Sequence, residues 1–147
     1  TGALDDAAAN DGFNLVTQQT AEWNAEKAQQ IVQSVIDAGT PFNVIYAEND
    51  DMAKGAVAAL DKANISHGVG KDVIVMGFDC NKWALEELKA GNWNYDGQCN
   101  PFQASYIDDI IKKLESGETI SEKTIIMDEK GFDATTITQE DVDNYGI

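Results

Sequence analysis

Several short stretches carry residue types that could do chemistry. The first is IYAENDDMAKGA, residues 45–56, where an apolar run passes into Glu48, Asn49, Asp50 and Asp51 and then into small helix formers. An acidic cluster of this kind could be a metal box, a helix cap, a catalytic carboxylate pair or a hydroxyl clamp. A calcium loop needs alternating Asp and Asn ligands, a glycine turn and a distal Glu, and that spacing is missing. Asp50 directly before a helix reads as an N-cap, and Asp51 in the first turn suits the helix dipole. Asn49, at the exit of the apolar run, offers one donor group and one acceptor, which is what a sugar hydroxyl needs.

A second carboxylate, Asp79, closes the apolar stretch VIVMGFD. It reads equally as a cap for the helix that follows or as an acceptor for a ligand. A phosphatase-type nucleophile would have a second Asp two residues on, where this chain has Asn81. Gln98, Cys99 and Asn100 form a third polar group after another strand candidate. Cys80 and Cys99 fit neither zinc spacing nor a Cys-x-x-Cys motif, and they read as two thiols or as one disulfide near the strand ends. His67 is the sole histidine and reads as an exposed loop residue, so general-base and nucleophilic catalysis have little to work with. No glycine-rich phosphate loop and no G-x-S-x-G elbow is present. Trp23, at a strand-to-helix junction, offers an aromatic face of the kind that holds a sugar ring. Trp83 and Trp93 read as core or rim.

The elements that would position these residues alternate. A helical opening over residues 3–11 precedes a strand over 13–19 and a helix within 21–39, where Ala28, Ile31, Val32, Val35 and Ile36 keep helical spacing up to Gly39. An apolar strand spans 41–47, a helix 51–64, a strand 71–79 and a helix 81–91. A weaker strand follows over 92–99, then a helix between Pro101 and Gly117, a short strand over 123–128 and a polar tail. This order predicts an α/β fold, a mainly parallel sheet with helices on both faces and right-handed crossovers. Ligands of such sheets bind outside the carboxyl ends of the strands, where Asn49, Asp79 and residues 98–100 fall.

Composition narrows the classes. The 147 residues suit one continuous core. With 26 acidic residues against 10 basic ones, all Lys, and a net charge of −16, a nucleic-acid surface is excluded as a partner. No apolar run approaches the roughly 20 residues of a membrane span, so a soluble segment is expected, with any export signal or anchor upstream.

Taken in order, VIYAENDDMAKGAVAALDKA, GKDVIVMGFD and ELKAGNWNYDGQCNP resemble the type 1 periplasmic sugar-binding proteins of ABC transporters, the ribose- and galactose-binding group. The resemblance runs over residues 2–117, and the CNP variant looks most like the galactofuranose-binding branch. It implies a periplasmic-binding-protein-like fold, no enzyme activity, no cofactor or metal, a monosaccharide ligand and ABC permease subunits as partners. It further implies an extracytoplasmic location, in the periplasm or on the surface as a lipoprotein. By position, it implies that Asn49 bonds sugar hydroxyls, that Asp79 accepts from them and that Trp23 stacks on the ring. Gln98, Cys99 and Asn100 sit where the family places a further polar contact. The family often carries an Arg clamp where this chain has Ala9, with Asn10 and Asp11 the nearest polar substitutes. Family members have two lobes, so residues 1–100 are expected to be the second lobe, incomplete at its start, and 101–147 the return towards the first lobe and hinge. The first lobe is then supplied elsewhere, by upstream chain or a partner chain. The sensing domains of lactose-repressor-type regulators share the pattern and stand as the alternative.

Overall fold

The computed structural model describes residue 10 and residues 12–147. Of the helix expected over 3–11 only Asn10 is described; the rest, with Ala9 and Asp11, lies outside the described residues.

Helix α1 (Ala25–Asp37) starts where the Asn24 side chain accepts the Lys27 N–H at 2.9 Å. The turn ahead of it is tight, with Glu22 and Trp23 both at positive φ, which is why the helix begins later than periodicity predicts. Helix α2 (Asp50–Lys62) packs against α1. Gly55 makes that approach possible: a Cβ there would lie 2.0 Å from the Ala25 carbonyl oxygen. Strands β1 (Val44–Tyr46), β2 (Ile74–Asp79) and β3 (Tyr95–Gln98) run parallel, and β4 (Gly131–Asp133) is antiparallel to β3. The sheet order is β1-β2-β3-β4. Helix α3 (Lys82–Lys89) links β2 to β3, and α4 (Ala104–Glu115) and α5 (Gln139–Tyr145) complete the elements.

Register and side-chain alternation sort the sheet into two faces. Ile45, Val75, Gly77, Asp96 and Phe132 lie on one face. There Ile45, Val75 and Phe132 join Ala53 and Leu60 of α2, Leu85 and Leu88 of α3, and Val142 of α5 in one core. Each fully buried Leu or Val contributes about 1.5–3 kcal/mol relative to exposure. On the opposite face Tyr46, Met76 and Tyr95 sit side by side, with Tyr46 edge-on to Phe78 at 5.5 Å. Ile74, Tyr46 and Tyr95 are exposed on that face, and α4 has no buried residue. The buried helical side chains among the described residues thus belong to α1, α2, α3 and α5.

Two expected strands do not form. Residues 13–19 are exposed throughout and pair with nothing in the described sheet, so their apolar side chains gain no burial to offset ordering. Residues 123–128 are also unpaired: Ile125 and Ile126 are adjacent, hence on opposite faces of any strand, and both are exposed. The last strand comes later, where Phe132 turns into the core opposite Asp96 and packs on Tyr145 at 5.3 Å between ring centroids. The tail read as merely polar contains α5, started by a reciprocal capping box between Thr138 and Asp141. Pro101 also precedes its helix by three residues instead of opening it.

Candidate functional site

The carboxyl ends of the three parallel strands carry the polar groups that the sequence singles out. Asp79 closes β2 and is in register with Gln98, which closes β3. Asn49 lies at the exit of β1, one turn of chain beyond Ala47, whose N–H bonds to the Met76 carbonyl. These three therefore share one rim.

Their hydrogen bonds assign the free groups. Asn49, not Asp50, is the N-cap of α2: its Oδ1 accepts the Met52 N–H at 2.9 Å. The cap reading of Asp50 is thus displaced by one residue, because Asn49 has the extended backbone that a cap requires. Capping uses the Asn49 oxygen and leaves its Nδ2 as the group to offer a ligand. Gln98 Oε1 accepts the Lys130 N–H at 3.2 Å, which likewise leaves its amide nitrogen. Asn100 Oδ1 accepts the Phe102 N–H at 2.8 Å in a local turn, and its backbone N–H donates to Glu129. Asp79 is half-buried, and its carboxyl is raised above its ordinary value, first by burial and then by the Asp51 charge. Its φ of 124° and that of Cys80, 62°, lie in the region that side chains disfavour, so the turn leaving β2 is strained.

Trp23 is 74% exposed, and its loop is anchored where Ala25 meets Gly55 of α2. Trp93 is buried and meets Trp83 edge-on at 5.8 Å, with the Lys54 ammonium over the Trp83 ring. Cys80 is buried, Cys99 is exposed, and both are free thiols, so the disulfide alternative falls away. His67 is not an exposed loop residue. Its Nδ1 meets the Asn92 carbonyl at 2.8 Å and its Nε2 the Asp61 carboxylate at 3.1 Å, which ties its loop to α2. Among the described residues no cluster of His, Cys, Asp and Glu could hold a metal. No described helix is long and apolar enough to cross a membrane.

Sequence reasoning missed Asp96. It is fully buried on β3 and lies beside Asp50, which is also fully buried. Asp50 Oδ2 accepts from Asn81 twice, at 2.8 Å from the backbone N–H and 3.1 Å from Nδ2. The one available signal was an Asp in a strand otherwise poor in strand formers.

A rim of polar side chains at the carboxyl ends of a parallel sheet stands where α/β proteins of this class bind small molecules. The chain belongs to the periplasmic binding protein family, whose domain model matches residues 2–118. It is 31% identical over 132 residues to the fructose import binding protein of Bifidobacterium longum, covering 88% of this chain and 38% of that protein. A Mycobacterium smegmatis protein in complex with β-D-fucofuranose has a similar structure (TM-score 0.82, 25% identity, 98% of this chain and 46% of that one). A galactofuranose-binding protein shares the fold (TM-score 0.83, 22% identity, 98% and 49%). The chain thus spans less than half the length of each. The expected α/β class with a mainly parallel sheet and the expected family both hold.

Proposed function

We propose that this chain is the sugar-contacting second lobe of a solute-binding receptor that delivers a monosaccharide to a carbohydrate ABC importer. Residues 1–100 supply that lobe's side of the cleft, and residues 101–147 return towards the first lobe. The receptor works outside the cytoplasm, docks on permease subunits and catalyses no reaction. The observation that carries this reading is the shared rim of Asn49, Asp79 and Gln98 at three neighbouring strand ends. Two amide nitrogens left to donate flank one carboxylate that accepts, a pattern that matches vicinal hydroxyls, each both donor and acceptor. Exposed Trp23 supplies an apolar face for the C–H side of the ring. Cys99 and Asn100 border the rim, and Asn100, whose oxygen is held by the Phe102 N–H, keeps its amide nitrogen as a donor.

Calorimetry on the full-length receptor with a panel of aldoses in pyranose and furanose forms tests this. Asp79→Ala is expected to weaken the best sugar by about 10–150-fold, the range for a charge-assisted hydrogen bond. Trp23→Ala is expected to weaken it by about 3–10-fold. Unchanged affinity in both variants would sink the site assignment, and no heat with any sugar would sink the ligand class.

A further inference from the structure

Beneath the rim lies a buried acid pair that sugar contact does not explain. Asp50 comes from the first turn of α2 and Asp96 from β3, and neither is exposed at all. Between them runs β2. Gly77 is in register with Asp96, and a Cβ on it would come within 2.6 Å of Asp50 Oδ1. The bare glycine backbone is therefore what lets the two carboxyls approach across the strand.

Their oxygens are unevenly satisfied. Asp50 Oδ2 takes both Asn81 donors, whereas Asp50 Oδ1 is buried with no donor. Asp96 Oδ1 has the Cys80 thiol at 3.9 Å as its side-chain donor, beside the Cys80 backbone N–H, and Asp96 Oδ2 is buried with no donor. Ionised carboxylates only accept, so two buried oxygens left over on neighbouring carboxyls satisfy each other only when one carries a proton. Two bare charges there would each bear the full cost of desolvation.

We propose that Asp50 and Asp96 hold one proton between them, and that this pair is the positioning device that fixes the turn over residues 79–81. The proton resides on Asp96, which donates to Asp50 Oδ1. Asp50 keeps the charge because it accepts two N–H bonds from Asn81 and sits in the positive first turn of α2. Through Asn81 that charge anchors the strained residues Asp79 and Cys80. The proton sharing stands on burial alone; its value for aiming Asp79 rests on the sugar-site reading above.

The other titratable groups acting on the pair are Asp79 and Cys80, both acidic, and no cation is among them. Burial pushes Asp50 up to about 6. Burial and then the Asp50 charge push Asp96 up to about 8. The folded chain thus keeps protons that the unfolded chain releases near pH ~4, so this stabilisation is complete below that value and is lost as pH rises through about 8. Between pH 6 and 8 one proton is at stake, and the unfolding constant rises by up to about tenfold per pH unit.

The test is denaturant unfolding of the full chain across pH 5–9, with Asp Cγ and backbone amide NMR titrations alongside. Wild type should lose stability from pH 6 to 8, and Asp96 should titrate near 8 together with the Asn81 amide shift. In Asp96→Asn the amide donates to Asp50 Oδ1 without titrating, so the slope should flatten and the Asn81 shift should stop moving. A flat wild-type profile with both carboxyls titrating below pH 5 overturns the shared proton. An Asn81 amide indifferent to Asp96 titration overturns the positioning role. If Asp96→Asn does not fold, the wild-type NMR titration decides alone. No sugar enters any arm, so failure here is distinct from failure of the receptor reading.

Discussion

Helices α2 and α4 are nearly equal in length, 13 and 12 residues, and both carry a clear apolar stripe. Their fates differ. In α2, Ala53, Ala56, Ala59 and Leu60 are buried, and α1 and β2 press against the helix. In α4, Ile107, Ile111 and Leu114 follow the same helical spacing and all remain exposed. Amphipathic spacing is enough to set a helix and its apolar side. Burial needs a facing surface as well, and α2 has one because Ala and Gly at its contact positions admit a neighbouring backbone.

The contrast can be broken or sharpened by substitution. The largest effect is expected from Leu60→Ala, about 2–5 kcal/mol of lost stability in denaturant unfolding, because the cavity lies in the shared core. Gly55→Ala should cost about 1–3 kcal/mol, since the added methyl meets backbone at the α1–α2 contact and not a movable side chain. Asn49→Ala removes the α2 cap and should cost about 1 kcal/mol, whereas Gln103→Ala at the start of α4, where no side-chain cap bond exists, should cost almost nothing. The smallest effect belongs to Ile111→Ala in α4, within about 0.5 kcal/mol in this chain. A cost for Ile111→Ala close to that of Leu60→Ala would mean that α4 is packed after all, and amide exchange in the two helices gives an independent ranking.

The same distinction separates what could be read in the sequence from what could not. The apolar runs ending at Tyr46 and Asp79 announced β1 and β2, because a continuous apolar run of strand length is the mark of a parallel-sheet strand, even though one face of this pair is open in the structure. The run through Ile125 and Ile126 was as apolar and formed no strand, since apolarity records a wish for burial and not the presence of an edge to pair with. Helix α5 was missed because its seven residues carry one fully buried apolar side chain, Val142, and its capping box is its main local signal. At the rim, Asn49, Asp79 and Gln98 were legible from strand ends alone. Which residue caps α2 was not, as Asn49 and Asp50 are both competent caps and only backbone geometry chooses. Asp96 was beyond reach for a different reason: its partner is 46 positions away in the chain, and the contact exists only because Gly77 has no side chain.

The two cysteines, unbonded and differently placed, make the protein convenient for optical work. Cys80 is sealed in the core and burial pushes its thiol up, so thiolate formation and access are both denied to it. Cys99 stands in solvent directly after Gln98. A maleimide dye would therefore attach at Cys99 and spare Cys80 on the native chain, one residue beyond the end of β3, with no engineered residue.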